Sequence, residues 1–317
     1  MKHYFLLLLC IPMCVWSQTT AESIAQLFEK KQYQKAETIL KEALKKAPND
    51  VELIELLGDS YGYQKKWDEA IENYERLVKM DDTNANYHYK YGGAMGMKAL
   101  IVNKFRALGL IGDIKSSFKR AAELDPNHID VRWAMVELYM QLPGLLGGSF
   151  KKSMKYANEL EQLSKVDGYL AKGYIYEYDD EPELAEKFYK KAIEVGGSLT
   201  CYEKLTKLYE KQDQPLKAIE NIERSHKKHQ RNAMHYQIGK VAADYNIQLE
   251  KGEKCLYLYI TNYTSKDGVP VSWAYYRLAQ IFTHRGDKQK ALEWINKALT
   301  EDDLKPFKKQ KEVILAM

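Results

Sequence analysis

The sequence predicts an all-α protein made of about eight helix–turn–helix repeats, followed by one short C-terminal helix. Small and then large apolar side chains recur at helical offsets along almost the whole chain. Clusters of Pro, Gly, Asn and Asp, which favour turns, separate these segments at intervals of about 34 residues. The 317-residue chain is 45% apolar and 29% charged, a composition able to bury a continuous core.

The repeat is clearest between Val51 and Asn84. Its signature residues are Leu57-Gly58, Tyr61, Lys66-Trp67-Asp68-Glu69-Ala70-Ile71, Tyr74 and Asp81-Asp82. A small side chain early in the second helix lets the first helix approach closely, and larger side chains four and seven positions later fill the adjacent space. These residues and offsets resemble the tetratricopeptide-repeat (TPR) consensus. In the seventh repeat, we assign the small position to Cys255.

The resemblance implies a right-handed superhelical solenoid that occupies residues 18–305. Its repeats are placed at residues 17–50, 51–84, 85–128, 129–165, 166–198, 199–231, 232–271 and 272–305. The remaining residues, 306–317, carry Phe307, Val313, Ile314 and Leu315 among lysines. We expect this segment to form a capping helix that covers the exposed apolar face of the last repeat.

Two insertions depart from the plain repeat. Residues 96–113 are apolar, so we expect them to lengthen both helices of the third repeat and to bury their Ile, Val, Leu and Phe side chains. Residues 142–149 read Leu-Pro-Gly-Leu-Leu-Gly-Gly-Ser, where Pro143 ends one helix and Ser149 caps the next, which predicts an ordered loop. Together the insertions resemble those of a sub-group of bacterial exported TPR proteins, and loosely the TPR components of some periplasmic transporters. Whether they form a ligand pocket stays open at this stage.

The N-terminus has the layout of a secretory signal peptide. A basic start precedes an apolar run from Tyr4 to Trp16, and polar sequence begins at Ser17. This run is short for a transmembrane helix, which needs about 20 residues. We therefore expect residues 1–17 to be removed and the protein to be periplasmic or secreted, without a transmembrane domain. An uncleaved anchor is the alternative, and neither early cysteine follows the small residues that lipid attachment requires.

Charge and motifs give no indication of several function classes. The net charge is +4, and both signs alternate along the chain, which favours neither nucleic acid nor an anionic membrane surface as a partner. His226 and His229 share a helix face, but they lie among basic residues at a predicted helix end, which disfavours a metal site. No hydrolase motif or distinctive carboxylate pair occurs. We therefore expect no catalytic residue, metal or cofactor.

The TPR resemblance implies a scaffold that binds a protein or peptide on the inner faces of its first helices, in a concave groove. The repeat phase places ten aromatic and charged residues there: Tyr63, Tyr89, Trp133, Glu137, Tyr174, Glu177, Tyr236, Lys240, Trp273 and Tyr276. Aromatic anchors among charged residues are typical of protein-recognition surfaces. The alternative is a small-molecule or lipid-binding accessory protein of an envelope transport system, with a pocket in the third and fourth repeats. The oligomeric state is not indicated.

Overall fold

The computed structural model describes residues 23–317, so the predicted signal peptide at residues 1–17 lies outside the described residues. Helices and two short 3-10 turns make up all the regular structure of this part, which has no β-strand. The predicted all-α repeat fold is confirmed. The chain divides into two compact units, Met1–Tyr156 and Ala157–Met317. Among the described helices, none is both long and apolar enough to cross a membrane.

The first unit is a series of antiparallel helix pairs. A helical stretch at residues 23–29 (α1) is followed by α2 (Tyr33–Lys46), α3 (Val51–Tyr63), α4 (Trp67–Met80), α5 (Ala85–Ala99), α6 (Lys104–Leu124) and α7 (Ile129–Gln141). A 3-10 turn, η1 (Gly144–Leu146), then leads to α8 (Phe150–Leu163), which runs past the unit boundary. From α2 to α7, each helix packs against the next one.

The second unit continues the same pattern. Its helices are α9 (Lys165–Tyr178), α10 (Pro182–Val195), α11 (Leu199–Lys211), α12 (Pro215–His229), α13 (Ala233–Tyr245), α14 (Leu249–Thr261), α15 (Val271–His284), α16 (Lys288–Glu301) and α17 (Lys305–Leu315). A second 3-10 turn, Ser265–Asp267, precedes α15. The last helix packs against α15 and α16 through Phe307 and Ile314, which are fully buried.

Glycines on the first helices explain how closely the helices of a pair approach. A Cβ atom on Gly58 would lie 2.6 Å from the ring of Tyr74, and one on Gly173 would lie 2.3 Å from the ring of Tyr189. Real Cβ atoms do not approach other atoms so closely, so any larger residue would push the two helices apart. Ala185, a predicted small position of the facing helices, is fully buried.

The seventh repeat differs from the sequence prediction. Cys255 is buried, but the close contact between helices is made by Gly252, whose added Cβ would lie 2.5 Å from the Cβ of Ala242. Four residues later, Leu256 fills the space against Gly239, where a Cβ would meet its Cγ at 2.3 Å. Both candidate pairs have a small residue followed by a large one four positions later. The assignment of Cys255 as the small position was therefore wrong, because the spacing alone fits two registers.

The insertion of the third repeat is only partly as predicted. It lengthens α6 to 21 residues, against 14 in α4, while α5 has 15 residues. The predicted burial is wrong, because Leu100, Ile101 and Phe105 are largely exposed. In α6, the buried residues begin only at Ile114. The first turns of this helix therefore extend beyond the packed part of the pair.

A buried carboxylate connects α2 to the following pair. Glu37 accepts hydrogen bonds from Lys41 (2.6 Å), Lys66 (2.7 Å) and Gln64 (2.9 Å). Burial alone would raise the pKa of Glu37, but the hydrogen bonds from Lys41, Lys66 and Gln64 outweigh it and lower the pKa from 4.5 to about 2. The ionised form therefore stabilises the fold above the ordinary carboxyl pKa.

Replacing Glu37 by glutamine is expected to lower the stability of the protein at neutral pH. Because the folded pKa is depressed, the stability that ionised Glu37 contributes is present above 4.5 and is lost as the pH falls towards about 2. The difference between the urea midpoints of parent and Glu37→Gln should therefore shrink across this range. Glu42→Gln is the control, since Glu42 is exposed and, among residues 23–317, forms an ion pair only with Lys45. A difference that does not vary with pH would contradict this role of Glu37.

Candidate functional site: an apolar cleft in the first unit

An apolar cleft of about 770 Å³ lies between α5, α6, α7 and η1 in the first unit. The floor is α5, one wall is α6, and the other wall is formed by the end of α7 and by η1. Its apolar lining includes Met97, Leu108, Ile111, Leu138, Pro143 and Leu146. Residues of both sequence insertions thus line one cavity.

One face of α6 forms its wall of the cleft. Lys104, Leu108, Ile111 and Phe118 all line the cavity, and they recur at helical spacing. The apolar composition of the insertion therefore supplies a continuous wall instead of an additional core. Among these four, only Phe118 is buried.

The turn η1 is held in place by hydrogen bonds on both sides. The Lys115 ammonium of α6 donates to the carbonyl oxygen of Leu146 (2.5 Å), and the Ser149 N–H donates to the carbonyl oxygen of Tyr139 (2.8 Å). Gly147, at φ +91°, ends the turn in the left-handed region. The Ser149 hydroxyl accepts from the Lys152 N–H (3.2 Å), the cap predicted for α8. The ordered loop predicted for residues 142–149 is confirmed.

Two glycines of α5 make the floor of the cleft flat. Gly92, on the packed side of this helix, has the ring of Phe118 only 2.9 Å from the position of an added Cβ. Gly93 and Gly96 line the cleft instead, and an added Cβ on either would have no atom within 4 Å. Packing therefore requires Gly92, whereas the space beside Gly93 and Gly96 is open.

The charged groups of the cleft differ in how they are paired. Lys90 forms ion pairs with Glu55 and Asp59 at 2.7 Å, and the Tyr74 hydroxyl donates to Asp59 at the same distance. Burial alone would lower the pKa of Lys90, but the two carboxylates outweigh burial and raise it. Lys90 therefore remains protonated, and the two carboxylates balance its positive charge. Lys104 is exposed and has no ion-pair partner among residues 23–317.

Of the ten residues predicted to bind a partner, the structure brings Tyr89 and Glu137 together in the cleft. Burial and the charges of Asp130 and Glu137 raise the pKa of Tyr89, so its hydroxyl stays protonated. Trp133 lies on the same helix as Glu137 and is half-buried. Tyr63 lies at the end of α3, where its ring stacks on Tyr33 at 4.6 Å; it does not line the cleft.

Three other predicted residues lie in the second unit and are half-buried. Tyr174 and Glu177 lie on α9, where Glu177 accepts a hydrogen bond from Tyr189 at 2.8 Å. Lys240, on α13, pairs with Glu210 at 2.6 Å. The two charged residues therefore connect neighbouring helices of the second unit.

Of the last three predicted residues, Tyr236 belongs to the core of the second unit, and Trp273 and Tyr276 are half-buried against it. Tyr236 is only 5% exposed and its ring lies 5.3 Å from that of Tyr259. Trp273 and Tyr276 pack their rings on Phe307 of α17, at 5.1 and 5.2 Å. The prediction that Tyr236 faces an open groove is corrected, because Tyr236 is buried against Tyr259. Trp273 and Tyr276 are half-buried, and partner binding by these two residues stays a prediction.

The ten residues predicted to bind a partner do not include several residues of the cleft. Trp67, Met97 and Leu138 line it, as does the first half of α6. The available signal was the apolar insertion itself, whose residues recur at helical spacing without a predicted partner helix. Such a stripe normally indicates a core contact, and only the structure shows that it faces open space.

The histidines considered for a metal site contact backbone carbonyls instead. A ring nitrogen of His226 lies 3.2 Å from the oxygen of Arg231, and one of His229 lies 2.8 Å from the oxygen of Gly197. In the part of the chain that the structure describes, no group of three or more His, Cys, Asp or Glu side chains is arranged to hold a metal ion.

Three segments of the sequence match family models of this repeat. Residues 58–98 match a model described as TPR repeat, and residues 166–195 and 268–306 match models described as tetratricopeptide repeat. These three segments are tetratricopeptide repeats. The matched TPR segments lie in both compact units. No curated protein matches this TPR chain.

Solved structures of TPR proteins resemble this chain in fold. A thermophilic TPR protein of Thermus thermophilus is 20% identical, with a TM-score of 0.51, over 60% of this chain and 97% of that chain. A TPR protein from Parabacteroides merdae ATCC 43184 is 15% identical, with a TM-score of 0.49, over 94% of this chain and 98% of that chain. The Thermus likeness supports the helical repeat fold.

Proposed function

We propose that this TPR protein is a non-catalytic scaffold that binds a protein or peptide partner, and that the cleft of the first unit receives an apolar segment of that partner. TPR arrays commonly serve as interaction scaffolds because stacked repeats present an extended surface. The observation that carries the assignment to the cleft is its flat floor at Gly93 and Gly96.

A glycine inside a helix lowers helix stability by about 1 kcal/mol relative to alanine. Gly58, Gly92 and Gly173 are explained by rings packed directly against them. No such contact explains Gly93 and Gly96, which face the open cleft. Glycine is favoured where another chain must come close to the backbone, and a peptide lying along α5 supplies that reason.

The groups around this floor suit recognition of a peptide. The apolar walls contributed by Leu108 and Leu138 offer places for apolar anchors. Tyr89 and Glu137 add a polar hydroxyl and a negative charge, and Lys104 adds a positive charge. Charged groups of both signs at the edge of an apolar patch provide selectivity more than affinity.

We further propose that the protein acts in the periplasm or at the cell envelope. The support for this is the signal-peptide pattern at residues 1–17 and the resemblance of the two insertions to those of exported TPR proteins. A partner in that compartment would meet the mature chain after export.

Filling the floor of the cleft tests the binding site. We expect Gly96→Leu to weaken binding by about tenfold or more, because a hot-spot contact is worth about 2 kcal/mol. The probe is a peptide enriched from a displayed random library on the full chain, and the measurement is its dissociation constant by fluorescence anisotropy. Since an added Cβ at Gly96 meets no atom within 4 Å, the fold should be retained.

Gly109→Leu is the matched control. Gly109 is also an interior helical glycine with open space around it, but it does not line the cleft. This variant should bind the peptide like the parent. Equal weakening in both variants, or no weakening in Gly96→Leu, would place the peptide site elsewhere on the molecule.

A second candidate ligand is a small apolar molecule or lipid. The cleft volume of about 770 Å³ lies within the usual range of small-molecule pockets, and its lining is mainly apolar. Native mass spectrometry of the purified chain distinguishes the two candidates in the same pair of variants. A bound mass in the parent and in Gly109→Leu, but not in Gly96→Leu, would favour the small ligand over the peptide.

A further inference from the structure

Four large apolar side chains at the rim of the cleft are strongly exposed. Leu100, Ile101 and Phe105 lie where α5 connects to α6, and they are 66%, 70% and 87% exposed. Leu145, in η1, is 98% exposed. Both segments border the same cavity, because Leu100 itself lines it and Leu145 is flanked in the chain by the lining residue Leu146. We call these four residues the apolar tip.

Soluble proteins usually expose large apolar side chains singly, and a group of them marks an interaction site. The apolar tip comes from two segments that are far apart in the sequence. The turn η1 is held in its position by hydrogen bonds from Lys115 and Ser149. The exposure is therefore built into ordered parts of the fold.

The two sequence segments around the apolar tip carry only positive charge, although Glu137 of α7 lines the same cleft. Residues 83–112 contain no Asp or Glu, and neither do residues 138–158, although the chain has 44 acidic residues. The two segments do contain basic residues: Lys90, Lys98, Lys104, Arg106, Lys151, Lys152 and Lys155. The small net charge of the whole chain does not reveal that these two segments lack acidic residues.

The basic residues closest to the apolar tip in sequence are available for a partner. Lys90 and Lys98 are paired with acidic residues of the preceding repeat, Lys98 with Asp68. Lys104 and Arg106 flank Phe105 directly, are exposed, and have no ion-pair partner within residues 23–317. A partner at this rim therefore meets apolar side chains next to uncompensated positive charge.

We propose that the rim of the cleft docks on an anionic lipid surface, with the apolar tip inserted and with Lys104 and Arg106 contacting lipid headgroups. Apolar and aromatic side chains flanked by Lys and Arg are typical of interfacial membrane binding. Long basic side chains can extend from an inserted helix end to the headgroups. The bulk charge gave no indication of an anionic membrane surface, because it averages over the whole chain.

Vesicle flotation of the full chain tests this proposal. The chain should float with vesicles of phosphatidylcholine and phosphatidylglycerol, and less with phosphatidylcholine alone. Phe105→Ser combined with Leu145→Ser should lower the apparent partition coefficient by about tenfold or more, because interfacial binding scales with buried apolar area. Lys104→Gln and Arg106→Gln should each lower it roughly fivefold, and only on the anionic vesicles.

The matched control is Val195→Ser combined with Leu216→Ser in the second unit. These residues are 53% and 58% exposed, but they do not belong to the apolar tip. The control should float like the parent, and all variants should keep the helicity and melting temperature of the parent. Gly96→Leu should also float, since it fills the cleft and leaves the apolar tip intact, so peptide binding and lipid docking can fail separately.

Three outcomes would overturn the proposal. The first is a parent chain that does not float with anionic vesicles. The second is flotation that the Phe105→Ser and Leu145→Ser changes leave unaltered, which would assign lipid binding to another segment such as the apolar run from Tyr4 to Trp16. The third is a parent that self-associates in sedimentation velocity, while the same double variant is monomeric and neither chain binds vesicles. In that case, the apolar tip contacts a second copy of the chain.

Discussion

Phe307→Ala is expected to lower the free energy of unfolding of the second unit by about 3–5 kcal/mol. Phe307 is fully buried, and its ring contacts both Trp273 and Tyr276. Truncation would remove these contacts and leave a cavity between α15 and α17. Because Phe307 lies in the first turn of an 11-residue helix, loss of this anchor should also loosen the rest of α17.

Urea unfolding followed by far-UV circular dichroism measures this change, and tryptophan fluorescence reports the exposure of Trp273. Val313→Ala on the same helix is the control, since Val313 is about half exposed and should change the stability by much less. Equal midpoints for the two variants would mean that α17 does not cover the last repeat.

Gly173→Ala is expected to destabilise the protein by about 1–3 kcal/mol. The added methyl group would lie 2.3 Å from the ring of Tyr189, which is fully buried and cannot move away. The helices α9 and α10 would have to separate, and their neighbours in the repeat array would share the damage. Gly109→Ala is the opposite case, because its Cβ meets open space, and it should stabilise α6 by about 0.5–1 kcal/mol.

A second substitution tests the physical cause of the Gly173→Ala effect. Tyr189→Leu removes the ring that the new methyl group would strike, although it destabilises the fold by itself. If the clash is the cause, the double variant should lose less stability than the sum of the two single variants. Urea midpoints of the four proteins give this coupling energy. Strict additivity would show that the methyl group acts elsewhere.

The repeat fold could be predicted because its determinants are local and periodic. The Ala70–Tyr74 and Ala185–Tyr189 pairs each follow a fixed spacing, and one repeat fixes the phase of the next. The small position of the seventh repeat was predicted wrongly because two registers fit the sequence. Gly252–Leu256 and Cys255–Tyr259 have the same spacing. Register then depends on which residue faces the neighbouring helix, and sequence spacing does not contain that information.

The candidate site was less predictable for a related reason. The repeat phase places Tyr236 and Trp273 on a helix face, but whether that face is covered depends on Tyr259 and on Phe307 of a distant segment. Apolar residues such as Phe105 were predicted to be buried, because burial is their most frequent environment. The lack of acidic residues around the insertions was visible in the sequence, and the whole-chain charge obscured it.

Burial is uneven along α6: its C-terminal part is packed in the core, and its N-terminal part is not. Its C-terminal half, from Ile114 onward, packs against α5, whereas none of its residues before Ile114 is buried. An α-helix adds 1.5 Å per residue, so two turns more or fewer in this first part of α6 would move its start, and the connection from α5 at residues 100–103, by roughly 10 Å along the helix axis. The distance between Phe105 and the buried part of α6 is therefore set by the length of the helix, and it can change without a change in the core.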